Sequence, residues 1–234
     1  MELHSFEIMA DRKYRNVNKF APQWSEQGIS CLIIMPRGGG KTSIVLNLLT
    51  LGYIPYDRAY IYGKTLNQPK YLYLKEYFKE LEESIYEETD KKIQVGYFSE
   101  DIDNIDLKQL DPKKQNIMIF DDILNEANQT EIEKVFCNAR HYNTQIYYLA
   151  QEYFKVPKII RVNTNFVILG KINSANQLRA IALDQAGDIE YDTFMKYYRS
   201  ATSGSFNYFI IDKVTNHRYL KYRRNFDEIL TEES

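Results

Sequence analysis

The sequence has little of several residue types that mark specialised classes of protein. Its 234 residues include only two cysteines, three histidines and one tryptophan. Two cysteines cannot form the disulfide framework of a small secreted domain. Cys31 and Cys137 both lie in apolar segments, which is typical of reduced thiols in a cytoplasmic compartment. No histidine or cysteine has the spacing of zinc ligands, so we expect neither a disulfide-rich fold nor a zinc site.

Charge of one sign and long apolar runs are also missing. The chain has 30 basic and 32 acidic residues and a net charge of −2. Because no global basic field attracts nucleic acid, any contact with DNA must come from a local patch. No apolar run approaches the length that crosses a membrane, and residues 1–28 contain no signal-peptide core. We therefore expect a protein that has no membrane segment and is not secreted.

The apolar content, 44%, and the length fit one α/β domain that spans residues 1–234. We interpret residues 1–28 as an N-terminal strap or edge segment and residues 205–226 as a C-terminal β-hairpin. Apolar runs predict five further strands, at Cys31–Met35, Arg58–Gly63, Gln115–Phe120, Thr144–Ala150 and Asn165–Gly170. Helical patterns lie between them, so the sequence predicts a mostly parallel sheet flanked by helices.

Four helical segments have recognisable limits. Pro69 is a natural first helical residue. It opens a helix to about Glu88 with a predicted apolar side of Leu72, Leu74, Tyr77, Phe78, Leu81 and Ile85. Thr130 and Glu133 form a capping box for a second helix that Arg140 and His141 close. Ser174 caps a third, and residues 191–200 form a fourth. Residues 91–112 are polar and acidic, and we interpret them as an excursion in which the sequence defines no element.

The most informative stretch is Cys31 to Leu51, which reads as strand, glycine loop and helix. The backbone N–H groups of such a loop converge on a phosphate, and the helix N-terminus adds partial positive charge. Lys41 would reach the β- and γ-phosphates and Thr42 would ligate Mg²⁺, as in a Walker A loop of an ATP-binding protein. Met35 stands where that pattern has its first glycine. The predicted nucleotide-binding residues are Arg37, Gly38, Gly39, Gly40, Lys41, Thr42 and Ser43.

Two further groups are predicted at the same edge of the sheet. Asp121 and Asp122 end an apolar strand, which is a Walker B pattern, and Gln151 follows the next strand. We assign Asp121 to the Mg²⁺ shell and Asp122 to orienting or deprotonating the attacking water. The amide of Gln151 can accept from that water and donate to the γ-phosphate. Gln151 is therefore a candidate sensor of the phosphate.

Phosphoryl transfer also needs a cation for the charge of the transition state, and a neighbouring subunit can supply an arginine in trans. Arg140 and Arg161 are the candidates, because each is predicted in a loop beside these strands. The densest basic stretch runs from Lys213 to Arg224. It could contact DNA, and it could equally be an exposed hairpin with ordinary charges.

Three blocks together resemble a known family: IIMPRGGGKTSIVLNLL, NIMIFDDIL and RHYNTQIYYLAQEYFKVPKIIRVNTNFVILGK. They are similar to the genome-packaging ATPases of large double-stranded DNA viruses and virophages, in the FtsK–HerA superfamily of P-loop NTPases. The third block, which runs from Arg140 to Lys171, is the most specific.

The resemblance implies a RecA-like fold and an ATP- and Mg²⁺-dependent motor, assembled as a ring of five or six subunits. Such a motor packages double-stranded DNA into a capsid, independently of sequence, and contacts proteins of the capsid vertex. It would be found in the virion or the host-cell cytoplasm. By position, Arg140 becomes the first choice for the trans arginine.

Two other functions remain open from the sequence. A nucleoside or nucleotide kinase could use the same phosphate loop, but it usually has an arginine-rich lid, and residues 91–112 contain no arginine. A scaffold that binds ATP without hydrolysing it is the second alternative. The intact Lys41, Thr42, Asp121 and Asp122 disfavour it.

Overall fold

The computed structural model describes residues 29–102, 105–123, 129–215 and 220–231. The predicted N-terminal strap, residues 1–28, lies outside them. Six α-helices occur in the described residues: α1 Lys41–Thr50, α2 Pro69–Thr89, α3 Thr130–Asn138, α4 Lys158–Asn163, α5 Ala175–Gln185 and α6 Tyr191–Ala201. Short 3₁₀ turns lie at Leu107–Gln109, Ala139–Tyr142 and Tyr153–Lys155. None of the helices in these ranges is both long and apolar enough to cross a bilayer.

Nine strands form one sheet in the order β3-β2-β4-β5-β1-β6-β7-β8-β9. Their bounds are β1 Ser30–Ile34, β2 Arg58–Gly63, β3 Gly96–Ser99, β4 Asn116–Asp121, β5 Thr144–Ala150, β6 Phe166–Leu169, β7 Phe209–Asp212, β8 Tyr222–Arg224 and β9 Glu228–Ile229. All neighbours from β3 to β6 pair in parallel, and β7, β8 and β9 continue the sheet with antiparallel pairs. The predicted mostly parallel sheet and closing hairpin are confirmed.

The central position of β1 explains its composition. It pairs with β5 on one side and β6 on the other, and all five of its residues are buried. A strand covered on both faces must be apolar throughout, because side chains alternate between the faces. Cys31 and Ile33 pack with the core under α1 and α2, whereas Leu32 and Ile34 pack with the core under α3, α5 and α6.

Residues 91–112, for which the sequence defines no element, contain the edge strand β3. Most predicted limits agree with the structure within one or two residues, but two local predictions are wrong. The N-cap of α3 is Gln129, and no side chain caps that end, so Thr130 and Glu133 do not form a capping box. On α2, Leu72 is 51% exposed and Tyr71 occupies the buried face instead.

Candidate functional site

The loop after β1 has the backbone that its glycines predict. Gly38 and Gly40 adopt positive φ angles of 76° and 96°, a region that residues with a side chain avoid. Gly40 is the N-cap of α1, so Lys41 and Thr42 form the first turn of the helix. The first backbone N–H groups of α1 have no partner within the helix, which makes this end suitable for an anion.

Lys41 lies folded over its own loop. Its Nζ donates to the carbonyl oxygen of Met35 at 3.0 Å and to that of Pro36 at 3.4 Å. Burial lowers the pKa of Lys41, and the nearby carboxylates of Asp121 and Asp122 oppose that shift. The carbonyl oxygens hold the ammonium group at the loop, in the place where a phosphate oxygen could replace them as acceptors.

Met35, which replaces the first glycine of the pattern, has a structural compensation. A Cβ on Gly170, just beyond β6, would lie 2.6 Å from the Met35 Cγ, and a Cβ on Gly39 would lie 2.8 Å from the Met35 Cβ. These two glycines therefore make room for the buried methionine. The Met35 backbone still donates to the Ala150 carbonyl oxygen at 3.1 Å, so the loop leaves β1 in line with β5.

Asp121 is the last residue of β4 and is only 8% exposed. Its Oδ2 accepts hydrogen bonds from Thr42 Oγ1 at 2.8 Å and from Tyr71 OH at 2.5 Å. Gly63 packs against its backbone, since a Cβ there would lie 2.8 Å from the Asp121 carbonyl oxygen. The helix residue and the strand-end carboxylate predicted to share a Mg²⁺ shell are thus in direct contact.

These oxygens suit Mg²⁺ in kind and in place. Mg²⁺ prefers carboxylate and hydroxyl oxygens, and at such sites it is usually held by one or two protein groups together with substrate phosphates. Thr42 and Asp121 supply both types of oxygen beside the phosphate loop. The donor set therefore fits the cation that the sequence predicts.

Asp122 and Gln151 form a second pair beside the first. Asp122 is exposed and has a φ angle of 57°, an uncommon backbone for a residue with a side chain but one that aspartate tolerates. The Nε2 of Gln151 lies 3.5 Å from Asp122 Oδ1, a long and weak hydrogen bond. Because β4, β5 and β1 are adjacent and parallel, Lys41, Asp121, Asp122 and Gln151 all lie at one sheet edge.

The two predicted arginines lie elsewhere. Arg140 is exposed, in the 3₁₀ turn that precedes β5, so it lies at the amino end of that strand rather than at the site edge. Arg161 lies in α4, where its Nη1 pairs with Asp184 Oδ2 at 2.9 Å and its guanidinium lies 4.8 Å from the centre of the Tyr153 ring. Neither arginine reaches the nucleotide edge of its own chain.

The predicted basic stretch is engaged inside the chain. Lys213 donates to Gln185, Lys221 pairs with Asp188, Arg223 pairs with Asp212, and Arg224 donates to Ser200. Arg218 lies outside the described residues. The described basic side chains of this stretch therefore have partners within the chain, which weakens the prediction that the stretch contacts DNA.

The structure adds two residues to the site that the sequence reading missed. Tyr71 contacts Asp121, and Lys70 Nζ donates to Ser43 Oγ at 2.7 Å. Both come from the first turn of α2. The spacing of Tyr71, Leu74, Phe78, Leu81 and Ile85, three or four residues apart, was the signal that Tyr71 belongs to the buried face.

The sequence matches no protein-family model and no curated protein. Solved structures share its fold. The genome packaging NTPase B204 from Sulfolobus turreted icosahedral virus 2, in complex with AMP, has a TM-score of 0.55 and 12% identity, covering 85% of this chain and 96% of that chain. Its complex with AMPPCP has a TM-score of 0.54 and 11% identity, with the same coverage.

B204, the DNA-packaging ATPase from Sulfolobus Turreted Icosahedral Virus, has a TM-score of 0.52 and 14% identity, covering 80% of this chain and 94% of that chain. At such low identities the likeness establishes the fold. The chain therefore has a P-loop NTPase fold, a mostly parallel sheet flanked by helices with antiparallel strands at its C-terminal end, of the kind seen in the viral packaging NTPase B204.

Proposed function

We propose that this protein is an ATP-hydrolysing motor that packages double-stranded viral DNA into a capsid. The observation that carries the proposal is the convergence of Lys41, Thr42, Asp121, Asp122 and Gln151 at one edge of a sheet whose fold is that of a packaging NTPase. The proposed role in DNA packaging rests on the similarity in fold to B204 and on the sequence blocks that resemble packaging ATPases.

The residues divide the work of hydrolysis. The N–H groups of the loop and of the first turn of α1 bind the phosphates, and Lys41 neutralises their charge. Thr42 and Asp121 would hold Mg²⁺, which neutralises negative charge on the β- and γ-phosphates when it is bound. Asp122 is exposed and close to Gln151, so the two can orient the attacking water together.

Arg140 is the proposed trans arginine. It is exposed and lies away from its own site, as a residue that completes a neighbour's site must. Arg161 is the weaker candidate, because its ion pair with Asp184 and its contact with Tyr153 hold it inside its own chain. A ring of five or six copies would bring Arg140 to the neighbouring site.

The proposed DNA contact, capsid docking and location rest on the same similarity in fold and on the same sequence blocks. The motor contacts duplex DNA through phosphates, independently of sequence. It docks on the capsid vertex and acts in the virion or in the host-cell cytoplasm.

The direct test is phosphate release by the full-length protein, measured with Mg²⁺ and ATP and with or without linear duplex DNA. We expect hydrolysis that duplex DNA stimulates regardless of sequence, and no nucleotide binding by Lys41→Ala. Asp122→Asn should bind ATP and lose most turnover. Hydrolysis that ignores DNA and requires a small-molecule acceptor would indicate a kinase, and ATP binding without phosphate release would indicate a scaffold.

A mixing experiment tests the trans arginine. Arg140→Ala subunits, which keep Lys41, are mixed with Lys41→Ala subunits, which keep Arg140, and turnover is measured at constant total protein. A trans role predicts turnover in the mixture that neither variant shows alone, because a Lys41→Ala subunit supplies Arg140 to the intact site of its neighbour. A mixture as inactive as the two separate variants would rule out this role. Arg161→Ala is the matched comparison.

A further inference from the structure

The first turn of α2 reaches the predicted metal site. Tyr71 is the third residue of that 21-residue helix, and its side chain is 3% exposed. Its hydroxyl donates to Asp121 Oδ2 at 2.5 Å, a short bond of the kind that hydroxyl groups form with carboxylates. Tyr71 thus joins a helix that follows β2 to the carboxylate at the end of β4.

The same carboxylate oxygen receives a second hydroxyl. Thr42 Oγ1 donates to Asp121 Oδ2 at 2.8 Å, whereas Oδ1 accepts from neither hydroxyl. A carboxylate oxygen has about two lone-pair positions, so two donors fill those of Oδ2. Oδ1 is then the oxygen that remains for a cation or for one of its water ligands.

We propose that Tyr71 is a positioning residue for the metal site: its hydroxyl fixes the rotation of the Asp121 carboxylate so that Oδ1 faces Mg²⁺. Outer groups that orient a metal ligand contribute strongly to metal affinity in other proteins. The proposal rests on the proposed ATPase function, since it concerns the metal of that site.

Packing alone does not explain the hydroxyl. Tyr71 lies in the buried stripe of α2 with Leu74, Phe78 and Leu81, where an apolar ring would fill the same space. The hydroxyl instead donates a hydrogen bond to Asp121. The backbone of Asp121 is already fixed in the sheet, where it pairs with Gly63 of β2 and Leu149 of β5. Loss of the Tyr71 hydroxyl therefore leaves Thr42 as the remaining hydroxyl donor to the carboxylate, while β4 stays in place.

The test compares Tyr71→Phe with wild type and with Tyr77→Phe. Tyr77 is a buried tyrosine two turns further along α2, so its variant removes a hydroxyl from the same helix away from the site. Binding of a non-hydrolysable ATP analogue is measured over a range of Mg²⁺ concentrations and in chelator. Binding of Mn²⁺ in the presence of the analogue is measured by electron paramagnetic resonance. Thermal unfolding is recorded for all three proteins.

For Tyr71→Phe we expect unchanged analogue affinity in chelator and about 10- to 100-fold weaker binding of Mg²⁺ and Mn²⁺, the range for loss of a group behind a metal ligand. Tyr77→Phe should match wild type in metal binding. Wild-type metal affinity in Tyr71→Phe, equal loss of analogue affinity with and without metal, or loss of cooperative unfolding would each overturn the proposal. A wild-type protein that binds no nucleotide would instead refute the proposed function.

Discussion

Two buried aspartates lie at strand ends on opposite sides of the sheet, one on the side of the phosphate loop and one on the far side. Both follow apolar residues in the sequence, but they have different hydrogen-bond partners. Asp121 ends β4 and Asp212 ends β7, each after a run of apolar residues, and they are 8% and 2% exposed. Asp121 accepts from two hydroxyl groups. Asp212 accepts from Arg223 at 2.8 Å and from the backbone N–H groups of Val214 and Thr215.

The difference separates a carboxylate that is used within the fold from the one that we propose for Mg²⁺. Burial raises the pKa of Asp212, and the guanidinium of Arg223 and the two N–H groups oppose that rise. With a cation and backbone donors on both oxygens, Asp212 is occupied within the fold, where it joins β7 to β8. Asp121 has neutral donors on one oxygen only, beside the phosphate loop. Asp212 joins two strands, and Asp121 has an Oδ1 that accepts from neither hydroxyl, as the proposed metal role requires.

The largest predicted effect concerns Asp212→Ala. The substitution leaves Arg223 buried without its carboxylate, which should cost about 3–5 kcal/mol in the free energy of unfolding. Urea denaturation measures this loss. The double variant Asp212→Ala with Arg223→Met should recover part of it, because it removes the unpaired charge as well. A single variant as stable as wild type would mean that the pair does not hold β7 to β8.

Asp121→Asn should reduce activity and leave stability nearly unchanged, the opposite of Asp212→Ala. Asparagine keeps an oxygen that accepts from Thr42 and Tyr71, but it removes the negative charge that attracts the metal. We expect metal-dependent turnover to fall by more than the roughly 10- to 100-fold that loss of a group behind a metal ligand causes, because Asp121 is the proposed ligand itself. The melting temperature should stay close to that of wild type. Phosphate release and thermal unfolding are the measurements. If Asp121→Asn destabilised the protein as much as Asp212→Ala, Asp121 would also be needed for stability, and the proposed difference between the two aspartates would be wrong.

Gly170→Ala tests the compensation for Met35. The new methyl group would lie 2.6 Å from Met35 Cγ, so the core beside the loop must shift. Overpacking of this kind typically costs about 1–3 kcal/mol. In a Met35→Ala background the same substitution should cost less, since only the Cβ of residue 35 remains. Urea denaturation of wild type, the two single variants and the double variant gives the coupling free energy between positions 35 and 170. Equal costs of Gly170→Ala in both backgrounds would contradict the idea that Gly170 makes room for Met35.

The last prediction concerns the pH dependence of stability on the side of the sheet opposite to the phosphate loop. Lys213 donates to Gln185 at 2.6 Å, and burial lowers its pKa from 10.5 to about 8. Between these values the unfolded chain binds the proton and the folded chain does not, so the free energy of unfolding should rise with pH. Relative to Lys213→Met, wild type should gain stability from about pH 8 upwards and show a constant difference below it. Urea denaturation across this range checks the slope.

Much of the nucleotide edge was readable from local sequence. A phosphate loop is a continuous stretch, and Gly38 and Gly40 stand where its backbone requires positive φ angles. The parallel arrangement followed from strands that alternate with helices, and it correctly placed Asp121, Asp122 and Gln151 at one edge. Edge strand β3 was missed because its four residues are only half-buried and carry no long apolar run.

Contacts between distant segments were not readable in the same way. Tyr71 and Asp121 are 50 residues apart, and Met35 and Gly170 come from different strand ends. The sequence offers tyrosine and glycine at these positions without stating which neighbours they meet. Basic residues near the C-terminus had two interpretations from sequence, a patch for DNA or an exposed hairpin with ordinary charges. The structure shows carboxylates, an amide and a carbonyl group beside them.

The sequence by itself determined the phosphate loop, most of the strands and helices along the chain, and the presence of an acid after an apolar strand. It contains that last pattern twice, at Asp121 and at Asp212. Only the tertiary structure decided between them: β4 runs parallel to β1 through β5, whereas β7 runs antiparallel to β6. The direction of a strand sets the edge at which its last residue lies, so Asp121 reaches the loop and Asp212 reaches the far side.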